Sequence, residues 1–312
     1  MGDEFSRIAQ YFAPLAGPEG LGLQDDAAIF TPPPGREIVL TVDQMLENIH
    51  FLPGDAPDLI ARKLLRRNLS DLAAMGATPV GYLLTTALPM SVDEAWLKAF
   101  SNGLAQDQAE FNIRLFGGDS SSSQIHISLT ATLIGHIAPG TALRRNGAKP
   151  GDDIWVTGTI GDAALGLKAR NGKLADPSGY LTQRSLLPTP RIGLPLASIA
   201  SAAIDISDGL IQDLEHICKA SNLAAEIHAA LIPTSPEAAS FGTAMLESRL
   251  TGGDDYELLL AIAPANAHAL KKACGGLQIT KIGSFSAGPP EVTVKDSNGA
   301  KFNFTKPGWQ HF

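Results

Sequence analysis

Six aspartate-bearing segments punctuate the chain, and each sits among Gly, Ser, Thr or other small residues where the backbone can turn tightly. They are Gln24-Asp25-Asp26-Ala27-Ala28, Thr41-Val42-Asp43, Asn68 to Gly76 around Asp71, Gly117-Gly118-Asp119-Ser120, Asp205-Ile206-Ser207-Asp208-Gly209 and Gly252-Gly253-Asp254-Asp255-Tyr256-Glu257. Carboxylates placed in tight turns suit hard, oxygen-seeking cations such as Mg²⁺, which in turn hold phosphate oxygens.

The 312 residues suffice for two ordinary domains or one large one. A net charge of −8 argues against a nucleic acid or an anionic membrane surface as the main partner. A phosphorylated ligand must then be met by metals, backbone N–H groups or a few arginines. Cys218 and Cys274 are far apart, with no CxxC and no Cys/His cluster, so neither zinc nor redox chemistry is indicated. The acidic opening Met1-Gly2-Asp3-Glu4-Phe5 does not read as a signal peptide, and no apolar run approaches the ~20 residues of a membrane span. The expected location is the cytoplasm.

The first half alternates strand and helix. Glu37–Val42 is a β-branched strand expected to deliver Asp43 at its end. Asp58–Ala74 reads as a helix, Val80–Leu88 as a strand, and Ser91-Val92-Asp93-Glu94 as a capping box opening a helix to about Glu110. Ile113–Phe116 runs into the Gly117-Gly118-Asp119 turn, and Ile125–Ile137 is a long strand. Texture then changes to Gly, Pro and charge, which divides the chain into domains 1–138 and 139–312. Beyond it come strand Ile154–Thr157, a turn at Gly158–Gly161, a helix to Ala169, strand Ala203–Ile206, helix Leu210–Ser221 and strand Tyr256–Ile262. The fold class is α/β (α+β), with two domains.

Several chemistries lack their signatures. There is no GxxxxGK[ST] loop, no serine nucleophile elbow and no HExxH. Gly158-Thr159-Ile160-Gly161 fails the GxGxxG spacing and reads as a tight strand-to-helix turn. Aspartate is a poor interior helix residue, yet small or apolar residues follow Asp71. Its carboxylate therefore points into a covered site or pairs with Arg67. Asp26 and Asp43 are turn caps or metal ligands. Gly117-Gly118 would let backbone N–H groups approach a phosphate beside the Asp119 carboxylate. Asp205 and Asp208 bracket Ser207 at a helix mouth, where an N-cap and a phosphate-binding helix terminus are both possible readings. Asp43, Asp71 and Asp119 are expected to share one metal cluster. His50, Arg145 and Trp309 stay open between structural and ligand roles.

These motifs together carry a resemblance. Gly2-Asp3-Glu4-Phe5, Asp25-Asp26-Ala27, Asp43, Asn48-Ile49-His50-Phe51, the Asn68–Gly76 run and Gly117-Gly118-Asp119 make up its first half. Arg145 to Asp152, Thr157-Gly158, Asp205 to Leu210 and Gly252 to Leu258 continue it. The chain resembles the thiamine-monophosphate kinase family, of the aminoimidazole-ribonucleotide-synthetase-like superfamily, essentially end to end. The resemblance implies ATP-dependent phosphorylation of thiamine phosphate to thiamine diphosphate with several Mg²⁺ ions. It places metal ligands at Asp26, Thr41, Val42, Asp43, Asp71, Asp119, Asp205 and Asp208. Nucleotide contacts fall on Gly118, Asp119, Arg145 and Ser207, and acceptor contacts on His50, Asp255 and Trp309. It also implies a homodimer paired through the N-terminal sheets, consistent with apolar residues on both alternations of Val80–Leu88 and Ile125–Ile137. Two positions depart from the pattern: Val42 where threonine is common, and Asp254 where glutamate is.

The residues agree with that chemistry. A phosphate monoester acceptor has its second pKa near ~6, so it is mostly ionised at neutral pH and no general base is required. The obstacle is repulsion between polyanions, which bound metals relieve. An aromatic face and a carboxylate, open to Trp309 and Asp255, would suit the thiazolium cation of the acceptor. The alternatives are another ATP-dependent member of the superfamily acting on a nucleotide-like substrate, or a non-catalytic nucleotide-binding regulator.

Overall fold

A computed structural model describes residues 4–296, 298–304 and 308–309. The chain divides into two compact units, one of Met1–Leu72 with Ala77–Pro139 and one of Ala73–Gly76 with Gly140–Phe312. In chain order the first half contains α1 (Glu4–Arg7), β1 (Glu37–Leu46), α2 (Pro57–Met75), β2 (Thr78–Pro89), α3 (Glu94–Phe111), β3 (Arg114–Ser123) and β4 (Ser128–Ile137). Its four-stranded sheet has the order β1-β4-β2-β3. The β2–β3 pair is parallel, and the pairs made by β4 are antiparallel.

Register decides what each face of this sheet carries. Thr41, Leu133, Tyr82 and Leu115 form one row across it. Helices α2 and α3 both reach this face, α2 through Asp71 to Thr41 and α3 through Gln108 to the Tyr82 hydroxyl. Leu64, Leu65, Leu69 and Leu72 of α2 and Leu97, Phe100 and Leu104 of α3 are buried at helical spacing. The alternate residues Ile38, Leu40 and Val42 of β1 face outward and are exposed. The outward apolar surface thus lies mainly on β1, while β4 turns Leu129, Ala131 and Leu133 inward.

Several expected boundaries shift. β1 continues three residues past Asp43, because its ladder with β4 runs to Leu46 opposite Ser128. Gly117, Gly118 and Asp119 lie within β3 rather than in a turn. A Cβ on Gly118 would come 1.8 Å from the Leu84 carbonyl oxygen, so close strand approach accounts for this glycine. Helix α3 is capped by Asp93, whose carboxylate accepts from Trp96 N–H at 2.8 Å, so Ser91 is not its cap.

The second half contains β5 (Asp153–Thr157), α4 (Asp162–Arg170), α5 (Tyr180–Leu186), β6 (Ala200–Asp205), α6 (Leu210–Ser221) and β7 (Ala224–His228). It continues with α7 (Pro236–Ala239), α8 (Leu246–Thr251), β8 (Leu258–Ile262), α9 (Ala267–Cys274), β9 (Ile279–Ser286), β10 (Val292–Lys295) and β11 (Lys301–Phe302). Its sheet has the order β11-β10-β7-β9-β5-β8-β6. Ile154, Val156, Ile204, Leu259 and Ala261 of this sheet pack with Leu210, Leu214, Ile217 and Cys218 of α6 in one buried cluster. Burial pushes the Cys218 thiol up to about 12, and both cysteines are unpaired. Strand β8 starts at Leu258 rather than Tyr256, because Asp254 and Tyr256 take positive φ angles of 71° and 51°. Among the described residues, no helix is long and apolar enough to cross a membrane.

In the first unit, Asp107 of α3 is fully buried and accepts from Arg62 Nε and Arg66 Nε of α2, both at 2.8 Å. The Arg66 guanidinium also reaches Glu110 at 2.6 Å. Replacing Asp107 with Ala strands two largely buried guanidinium groups. The expected loss is roughly 3–5 kcal/mol of stability, the usual cost of removing one partner of a buried pair. Urea unfolding that shows a change under 1 kcal/mol would place this pair among solvent-screened surface bridges instead.

Candidate functional site

Two groups of oxygen donors form, one in each unit. In the first, Thr41 and Asp43 are alternate residues of β1 and share its helix-covered face. The Thr41 hydroxyl donates to Asp71 Oδ2 at 2.6 Å, and Arg67 Nε lies 3.5 Å from Asp43 Oδ2. Asp71 therefore meets β1 across the helix–sheet interface. Val42 points its side chain to the opposite face, where it is 60% exposed, and could offer a cation its carbonyl alone.

Asp119 does not join this group. The row of Asp43 runs through Ala131 and Leu84 to Gly118, whereas Asp119 lies in the next row with Thr85 and Thr130. Consecutive rows face opposite sides, and β1 and β3 are three strands apart, roughly 14 Å at about 4.8 Å per strand. The single cluster expected of Asp43, Asp71 and Asp119 is thus split by the pleat. Asp119 instead lines a cavity of about 710 Å³ with Asp25, Asp26, Gly118, Thr85 and Phe30. His50 stands in the turn after β1, its Nδ1 accepting from Leu46 N–H at 3.0 Å, which places its proton on Nε2.

The second group surrounds the mouth of α6. Asp205 ends β6, buried, and the chain then turns through Ser207, Asp208 and Gly209. The backbone N–H groups of these three residues all donate to one oxygen of Asp213, at 3.0, 3.0 and 3.1 Å. The helix mouth is therefore already met by a carboxylate, that of Asp213 rather than of Asp205 or Asp208. Burial, then the charges of Asp205 and Asp208, push the Asp213 carboxyl well above its ordinary range. Asp208, Asp213 and His216 can each bring a ligand atom within 4.8 Å of the others. Arg145 is exposed on the neighbouring turn, whose carbonyl accepts from Ser221 Oγ at 2.8 Å. Burial, then the Arg145 charge, lower the His216 pKa.

The Gly252–Glu257 segment runs beside this turn, with Asp254 N–H donating to the Ser207 carbonyl at 2.9 Å. Asp255 was expected to face an acceptor cation, but it is fully buried. Its two oxygens accept from Gly161 and Ala163 N–H at 2.7 and 3.3 Å, at the start of α4. The left-handed backbone at Asp254 turns Asp255 inward and leaves Asp254 itself half-buried. Trp309 is 51% exposed, and its N–H donates to the Asp208 carbonyl at 3.0 Å. Its main chain holds the tail to the helix mouth while the ring remains half in solvent.

Sequence reasoning missed Asp213 and Gln212. The signal was an acidic residue four positions after Gly209, within the first turn of an apolar-faced helix, where it can fold back on the preceding amides. Chemically, both groups present hard oxygen donors, and in the second the charges of Asp205 and Asp208 help raise the Asp213 carboxyl. Both groups fit a hard divalent cation, and thiolate or imidazole clusters of softer metals are not seen among the described residues.

Comparison with known proteins accounts for both units. Residues 24–137 match the AIR synthase related protein N-terminal domain, and residues 149–295 match the corresponding C-terminal domain. Thiamine-monophosphate kinase of Caulobacter vibrioides is 40% identical over 320 aligned residues, spanning 99% of this chain and 90% of that protein. The chain belongs to the thiamine-monophosphate kinase family. A crystal structure of a family member from Stenotrophomonas maltophilia shares 37% identity at a TM-score of 0.82, covering 93% of each chain. A second, "AaThiL complexed with AMPPCP and TMP", shares 30% identity at a TM-score of 0.78, covering 92% of this chain and 91% of that one. The kinase family thus extends over both carboxylate groups.

Burial pushes the Asp255 carboxyl up to about 8 even though two amides hold it. An acid whose folded pKa exceeds its unfolded value keeps a proton in the folded state that the unfolded state has lost. Stability should therefore fall as pH rises from about 4 to about 8, and Asp255→Asn should flatten that slope. Melting temperatures of both proteins across this range provide the check, and parallel profiles would contradict the assignment.

Proposed function

We propose that this chain transfers the terminal phosphoryl group of ATP to thiamine phosphate, giving thiamine diphosphate and ADP. The observation that carries this reading is the pair of oxygen-donor groups, Thr41–Asp43–Asp71 and Asp205–Asp208–Asp213, in a member of this kinase family. A relative bound to AMPPCP and TMP supports the two-substrate reading. An acceptor phosphate oxygen attacks the γ-phosphorus, and the bond to the β,γ-bridging oxygen breaks with its electron pair leaving on ADP. The attacking oxygen is already ionised, so no side chain needs to remove a proton.

Asp26, Asp43, Asp71, Asp119, Asp205 and Asp208, with Thr41 and the Val42 carbonyl, are the proposed Mg²⁺ ligands. Bound Mg²⁺ would supply the positive charge that lets two polyanions approach. Gly118, Asp119, Arg145 and Ser207 are assigned to the nucleotide, and His50 and Trp309 to the acceptor. Asp254, half-buried beside Ser207, is better placed than buried Asp255 to meet a cationic ring. The exposed Ile38, Leu40 and Val42 face of β1 is proposed to close in a homodimer, and the enzyme to work in the cytoplasm.

Coupled ADP release with thiamine phosphate and thiamine as rival acceptors tests the reaction. Turnover should require thiamine phosphate, and ADP release at equal rates with thiamine would refute the phosphate-acceptor reading. Asp71→Asn should lower kcat on the order of 10²-fold, the scale of losing one electrostatic stabiliser. Near-normal turnover at low Mg²⁺ would remove Asp71 from the ligand set. For assembly, light scattering should return twice the 32.7 kDa chain mass, and Leu40→Glu should shift the protein toward monomer.

A further inference from the structure

The chain end that carries Trp309 returns onto the first turn of α6, and one side chain there grips it. The Gln212 amide nitrogen donates to the Trp309 carbonyl at 2.9 Å and to Asp208 Oδ2 at 3.2 Å. Both partners can only accept, so the nitrogen of the amide must face them, and its two hydrogens match the two acceptors. Asp208 closes the circuit from the other side, its carbonyl taking Trp309 N–H at 3.0 Å. Contact is as close as the chain permits. A Cβ on Gly308 would lie 2.6 Å from Gln212 Cβ and 2.8 Å from the Asp208 carbonyl oxygen.

We propose that Gln212 is a positioning residue, which sets the Trp309 ring relative to the Asp208 carboxylate. The inference rests on the reading that Trp309 meets the acceptor. A donor bonded to one oxygen of Asp208 fixes the rotation of that carboxylate and leaves its second oxygen free to face a cation. The same NH₂ group fixes the carbonyl of the residue whose ring recognises the acceptor. The place of the acceptor is thereby tied to the place of the metal-binding carboxylate, through a group that touches neither substrate. Gln212 is suited to this because it stands in the first turn of α6, within reach of the turn that precedes the helix.

Gln212→Met keeps the length of the side chain and removes the donor. In the full-length protein, amide hydrogen exchange at Trp309 should speed up, while the melting temperature changes little. The KM for thiamine phosphate should rise about tenfold, an effect of one charge-assisted hydrogen bond, with a distinctly smaller rise in the KM for ATP, which reaches Asp208 only through the proposed metal. Gly308→Ala, which pushes the tail off the helix from the opposite side, should act in the same direction. In a Trp309→Ala background, Gln212→Met should add little further, since both changes remove one linked interaction. If Trp309→Ala raises the acceptor KM but Gln212→Met and Gly308→Ala leave it unchanged, the positioning role is wrong and the acceptor reading stands. If Trp309→Ala itself leaves the acceptor KM unchanged, the acceptor reading fails and the positioning role with it. A parallel rise in both KM values would indicate general loosening of the helix mouth and would also overturn the proposal.

Discussion

Burying a carboxylate is costly unless donors meet it, and this constraint organises both units of the protein. In the first unit, Arg62 and Arg66 close on Asp107 and bind α2 to α3. In the second, Glu257 takes Arg184, Arg191 and Thr157, and Asp162 takes the hydroxyls of Thr159, Tyr180 and Ser235. Asp213 and Asp255 are met instead by backbone N–H groups at the starts of α6 and α4. These contacts do more than satisfy the acids. Those of Asp213 and Asp255 pin helix starts beside the functional groups.

The chain thereby sorts its carboxylates by what meets them. Asp43, Asp71 and Asp208 remain partly accessible, and each stands next to a carboxylate, a hydroxyl or a backbone turn held in place by a buried neighbour. Asp208 and Asp213 illustrate the division of labour. Asp213 spends one oxygen on three amides, and the turn so fixed carries Ser207 and Asp208 outward. Asp254 and Asp255 repeat the pattern one segment later, the first half-buried and the second locked to the start of α4. In a protein with a net charge of −8, holding acids in this way limits the repulsion that a polyanionic nucleotide would meet.

Much of the local structure was legible in the residues. Leu210–Ser221 was read with its observed bounds, because its apolar periodicity starts just after Gly209 and ends just before Asn222 in the left-handed conformation. The helices α2 and α3 and the strand β2 were likewise read close to their observed bounds. Errors arose where tertiary pairing overrode a local signal. Gly117-Gly118-Asp119 looked like a turn, yet Gly118 is small so that β3 can lie against the Leu84 carbonyl of β2. Ser91 looked like a cap, yet Asp93 is nearer to the first helical amides and accepts from Trp96. The expected start of β8 at Tyr256 ignored two left-handed residues that no propensity announces.

The sequence by itself determined the inventory of the site: which acids are present, and that small, turn-forming residues flank them. Those properties follow from residue type and from backbone turns, both of which are local. Only the tertiary structure decided which acids stand together. Thr41 and Asp71 are 30 positions apart and meet because β1 and α2 share one face, whereas Asp119, although its Gly118 neighbour shares a row with Asp43, is turned away by a single step of the pleat. A strand reverses the direction of its side chains at every residue. The face on which a carboxylate falls therefore depends on register with neighbouring strands, which only the assembled sheet fixes.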